Sequence, residues 1–118
     1  GLKLLTFNLL LFIIFYKYSI KHYKRRYNNL STISEDIQWA RDMVGNGFYS
    51  ICDHANVRMN ERNISDKNIE DVVKNGKAST TKQGRLCFEK DEIRVIVKVM
   101  KFRISIITVI RKGEDEEC

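Results

Sequence analysis

With 118 residues the chain holds one domain at most, long enough for a core that needs no metal or disulfide staple. Its formal net charge of +6 comes entirely from residues 1–29, which carry six basic side chains and no acidic one, while the remainder carries 15 of each sign. This balance argues against a broadly basic nucleic-acid-binding surface on the folded part and leaves room only for local cationic stripes.

Residues 4–16 are uncharged and mostly Leu, Ile and Phe, enclosed by Lys3 and Lys17. As a helix they reach about 20 Å, short of a hydrocarbon core of about 30 Å. With Lys3 and Lys17 snorkelling and Tyr16, Tyr18 and Tyr23 at the interface, a thin or tilted membrane anchor is one expectation. An amphiphilic helix packed on the domain or on a partner is the other. A signal peptide fits less well, because the basic residues follow the apolar run instead of preceding it. If the segment crosses a membrane, the positive-inside rule sets the rest of the chain on the cytoplasmic side. The cytoplasm is thus the expected place of action, with the segment as a candidate tether.

The polar stretch at residues 28–32 marks the boundary between an N-terminal segment, 1–29, and a domain, 30–118. Ser34 offers an N-cap, with Glu35 and Asp36 in the favourable first turn. Ile37, Ala40, Met43 and Val44 form one apolar stripe, so a helix runs to Gly45 or Gly47. A central helix starts at Asp53 with Ala55 and Met59 facing inward. Ser65 caps the next helix, in which Ile69, Val72 and Val73 pack inward and Asn75-Gly76 is the stop. Residues 85–89, 93–99 and 103–110 are then β-rich runs joined by short links, which favours antiparallel neighbours. In the last of them Ile104, Ile106, Thr108 and Ile110 are expected on one face. The fold class is therefore α+β: two or three N-terminal helices packed on a three- to four-stranded antiparallel β-meander. The acidic end, 113–118, is expected to be loose.

His54, Arg58 and Arg62 recur every four residues, which aligns them on one helix face. Two readings stand side by side. Either the face is solvated, with Glu61 offsetting the repulsion of the two arginines, or the guanidinium forks hold a phosphate while His54 moves a proton. Cys52, Cys87 and Cys118 are odd in number and lack C-x-x-C spacing, so they read as free thiols. Cys52-x-His54 has no second ligand pair, and no metal or other cofactor is expected.

His54-x-x-x-Arg58-Met59-x-Glu61-Arg62-x-Ile64, then Ile69-Glu70-Asp71-Val72-Val73-x-Asn75-Gly76, Arg94-Val95-Ile96-Val97 and Ile106-Ile107-Thr108-Val109 carry a resemblance over residues 52–111. In order and spacing they resemble a small bacterial domain family of unknown function. That family is similar to the RelE, barnase, EndoU and colicin-type toxin ribonucleases, the BECR fold. The resemblance implies helices packed on an antiparallel sheet and a metal-independent toxin endoribonuclease controlled by an antitoxin or immunity protein. His54 would take the proton from an RNA 2′-OH, whose attack on the adjacent phosphorus leaves a 2′,3′-cyclic phosphate. Arg58, Arg62 and Arg94 would stabilise the phosphate charge, and Thr108 would bond the phosphate or orient His54. Water or His54 itself would protonate the leaving 5′-oxygen. Arg85, Lys98 and Arg111 are the further residues expected to touch the RNA. The alternative is a non-catalytic module of the same fold that binds RNA or a protein. The chain departs from the pattern at Ile110, where members often carry an aromatic residue.

Overall fold

A computed structural model describes residues 31–100 and 103–113, together with positions 9, 13, 16, 20, 21 and 25. The anchor and partner-helix readings of residues 1–29, and the loose acidic end beyond residue 113, lie outside the described residues apart from those six positions. One of the six, Arg25, ties back to the domain: its guanidinium donates to both oxygens of Glu35, at 2.6 and 2.7 Å.

Helix α1 (Ile33–Gly45) is capped by Thr32, not Ser34. Its hydroxyl accepts from the Glu35 amide at 3.1 Å, which satisfies one of the helix's free amides. Trp39, Ala40, Met43 and Val44 are buried along one stripe. Helix α2 (Asp53–Arg62) buries Ala55 and Met59 and ends at Asn63, whose φ of 55° reverses the chain. Helix α3 (Asp66–Asn75) opens with a capping box formed by Ser65 and Asn68 and buries Ile69, Val72 and Val73.

The class is α+β, as the sequence predicts, with the helices packed on a sheet, but the sheet has five strands and is mixed. The strands are β1 (Ser50–Ile51), β2 (Lys77–Thr80), β3 (Leu86–Lys90), β4 (Ile93–Val99) and β5 (Ile104–Arg111), in the order β1-β5-β4-β3-β2. The meander β2 to β5 is antiparallel. The added strand β1 runs parallel to β5, pairing Ser50 with Ser105 and Ile51 with Ile106.

A bulge corrects the face assignment of β5. The register passes from Ile96↔Thr108 to Val97↔Ile106, leaving Ile107 as the extra residue. Alternation therefore shifts phase. Ile104, Ile106 and Val109 point into the helix-covered core, whereas Ile110 belongs with Cys87 and Ile96 in a second, smaller cluster. Thr108, paired with Ile96, shares that second face.

Gly76 joins α3 to β2 where no side chain fits. A Cβ there would overlap the Val72 carbonyl oxygen and lie 2.7 Å from that of Glu89. Arg41 of α1 closes the same junction, donating to the carbonyls of Val73, Lys74 and Gly76 at 2.8–3.0 Å. Its guanidinium also lies over the Phe88 ring, 5.3 Å from the centroid.

Candidate functional site

The central helix is placed by the edge of the sheet. β1 covers β5 for only two residues, and the chain then turns at Cys52, whose amide still donates to the Ile106 carbonyl at 3.1 Å. The Cys52 thiol is the N-cap of α2, accepting from the Ala55 amide, and itself donates to the Ile107 carbonyl at 3.1 Å. At the far end the Arg62 guanidinium donates to the Val109 carbonyl, and Arg111 donates to the carbonyls of Arg62 and Asn63 at 2.9 and 3.4 Å. The helix thus runs in the same direction as β5 and seals the strand edge that β1 leaves open.

Element geometry fixes what lies beside what. At about 1.5 Å per residue, His54 is about 3 Å and Arg58 about 9 Å beyond Cys52 along the helix. At about 3.3 Å per residue, β5 advances from Ile107 past Thr108 and Val109 over the same interval. His54 therefore lies level with Thr108, and Arg58 with the step from Val109 to Ile110, along the seam between α2 and β5.

His54 is exposed in the first turn. Arg58 is half-buried; its Nη1 donates to Glu61 Oε2 at 3.0 Å, an i,i+3 pair at the surface. Its Nε is buried and has no hydrogen-bond partner, and the same holds for the Thr108 hydroxyl oxygen. Arg62 has turned inward to the strand edge and Arg111 to the helix end, so both hold the seam together. Arg94 donates to its cross-strand neighbour Glu89 at 3.1 Å and shares the second sheet face with Thr108. Arg85 and Lys98 line a separate pocket at the other end of the sheet, beside the β2–β3 turn.

The expected residues thus divide four ways: His54, Arg58 and Thr108 along the seam, Arg62 and Arg111 within its scaffold, Arg94 paired with Glu89 on the second sheet face, and Arg85 with Lys98 elsewhere. Sequence reading passes over Cys52 as a cap, for which its position just before Asp53 is the available signal, and over Glu89 as the partner of Arg94. Cys52 is a free thiol, but Cys87 is disulfide-bonded, so the expectation of free thiols fails there. Sequence spacing does not reveal which sulfurs meet in space. Among the described residues no group of three or more His, Cys, Asp or Glu side chains is placed to hold a metal ion, and no helix is long and apolar enough to cross a membrane.

Fold and seam together define a small α+β domain whose central helix lies along a sheet edge and presents a histidine and an arginine beside it. The chain belongs to the DUF4258 family, a domain of unknown function, whose model matches residues 51–111. That span begins in β1 and ends with β5, so it contains the whole seam and omits α1. No curated protein and no solved structure matches the chain.

Proposed function

We propose that the domain is a toxin-type, metal-independent endoribonuclease that cleaves RNA by 2′-OH attack, with the seam between α2 and β5 as its active site. The observation that carries this reading is two buried, unpartnered groups on the neighbouring elements of the seam, Arg58 Nε on α2 and Thr108 Oγ1 on β5, with an exposed histidine one helical turn before Arg58. An unsatisfied buried polar group costs about 1–3 kcal/mol, and a phosphate oxygen would recover that cost for a donor at either position. His54 is exposed in the first turn of α2, open to an approaching 2′-OH. In this reading His54 accepts the 2′-OH proton and the new bond to phosphorus expels the 5′-oxygen, which takes a proton from water or from His54. Arg58 and Thr108 bind the phosphate, an electrostatic contribution often worth about 3 kcal/mol per donor. Arg62 acts as scaffold, and Arg94 supports the face on which Thr108 stands. A protein with this activity requires restraint in its own cytoplasm, so an antitoxin or immunity protein is part of the proposal.

The test is purified protein incubated with RNA in a chelator. Cleavage leaving 2′,3′-cyclic phosphate ends, abolished in His54→Ala, is the expected result; intact RNA would sink the reading. The second reading, a non-catalytic RNA- or protein-binding module, is favoured by one observation: Arg62, Arg94 and Arg111 are each engaged with the protein's own groups. RNA binding that is weakened by Arg58→Ala in a protein that never cleaves would select it.

A further inference from the structure

The pocket at the far end of the sheet has a volume of about 520 Å³ and is lined by Lys82, Arg85 and Lys98, with Thr80, Thr81 and Asp36. Its three cations come from the β2–β3 turn and the end of β4, and none makes an ion pair with a described residue. The turn that carries two of them is pinned. The Thr81 amide donates to the Arg85 carbonyl at 2.8 Å, the Gly84 amide to the Thr81 carbonyl at 3.0 Å, and the Arg85 amide to the Thr81 hydroxyl at 3.1 Å. Gly84 supplies the positive φ of 78° that this turn requires.

We infer that Lys82, Arg85 and Lys98 form a second phosphate-binding site, which grips a single-stranded RNA away from the seam and sets how the strand lies across the domain; the choice of RNA rests on the ribonuclease reading. Three like charges held around one concavity by a braced turn repel one another, and Asp36 is the one acidic residue of the lining. A polyanion removes that repulsion. Arg85 is half-buried and its guanidinium fork can meet a phosphate through two parallel hydrogen bonds, while Lys82 and Lys98 are exposed point charges. The pocket's size suits a nucleotide unit. Two separated phosphate sites also give a domain without excess basic charge a way to hold RNA, since each neutralised phosphate releases counterions independently.

The measurement is binding of a fluorescent 2′-O-methyl RNA oligonucleotide, which lacks the attacking hydroxyl, across a salt titration. The variant Lys82→Ala/Arg85→Ala/Lys98→Ala is expected to bind about tenfold or more weakly, with a salt slope shallower by about 0.7 for each phosphate that no cation now neutralises. Lys82→Gln/Lys98→Gln changes only exposed side chains and should show the same trend if the triple variant folds poorly. Unchanged affinity and slope in both variants would overturn the site. So would a mononucleotide or inorganic phosphate that binds the unmodified chain as tightly as the oligonucleotide, or an acidic peptide whose binding, unlike that of RNA, depends on these residues. The two readings fail separately. Protein that binds RNA through this pocket but cleaves none removes the ribonuclease and keeps the site, whereas cleavage with an unchanged KM in the triple variant does the reverse.

Discussion

Arg62 and Arg111 clasp one another through the backbone: the Arg62 guanidinium donates to the carbonyl of Val109, two residues before Arg111, and Arg111 Nε donates to the carbonyl of Arg62 at 2.9 Å. Two arginines expected from the sequence to touch RNA are thereby engaged in joining a helix to a strand edge. Arg62→Ala and Arg111→Ala should each lower stability by about 1–3 kcal/mol, and the double variant by less than the sum. Urea denaturation of the three proteins checks this. Arg58→Ala, whose only described side-chain partner is Glu61 at the surface, should lose less than about 1 kcal/mol.

Thr108→Val separates function from stability. The hydroxyl oxygen is buried without a partner, so replacing it with a methyl of the same shape should leave stability unchanged or raise it by up to about 1 kcal/mol. RNA cleavage by the same variant should fall if Thr108 binds phosphate. A large loss of stability in denaturant would show that the hydroxyl does have a partner.

The α3–β2 junction should tolerate little change. Gly76→Ala places a methyl against two carbonyl oxygens of the backbone, with no flexible side chain to yield, and should cost about 1–3 kcal/mol. Arg41→Ala should cost a similar amount, since it strips donors from the last carbonyls of α3 and uncovers Phe88. Thermal unfolding of both variants is the measurement.

Tyr49 predicts an alkaline signature. Burial, and then its hydrogen bond to Glu70 at 3.0 Å, push the phenol above its ordinary value of 10.0. A group raised on folding contributes stability that is complete below the unfolded value and is lost as pH rises through and beyond it. Stability should therefore decline above about pH 10, and Tyr49→Phe should decline less steeply over that range, as denaturant midpoints measured at increasing pH would show.

Most of the scaffold is legible in the residues because hydrophobic spacing and caps agree. Ala55 with Met59, Ile69 with Val72 and Val73, and the Ser65 and Gly76 boundaries are all where pattern and turn chemistry put them. Strand β2 escapes because Lys77, Ser79 and Thr80 are exposed on an edge and only Ala78 meets the core. Strand β1 is two residues long, too short for any period. The bulge leaves a single trace, the doublet Ile106-Ile107, which breaks alternation without saying which residue is extra. At the site, helical spacing finds His54 and Arg58. It cannot foresee that Arg62, on nearly the same face, is drawn to a strand edge, because that depends on a pairing across 47 positions of chain.

The parallel pairing of β1 with β5 has a consequence for assembly order. Ser50 meets Ser105 only after the whole intervening chain, two helices and three strands, has been placed between them. Closing so long a loop is slow compared with forming the adjacent hairpins of the meander. Helix α2 thus finds its resting place only once β5 has docked on β4. A growing chain that stops before β5 carries His54 and Arg58 but has no strand for them to lie against, so any chemistry at the seam awaits synthesis through Arg111.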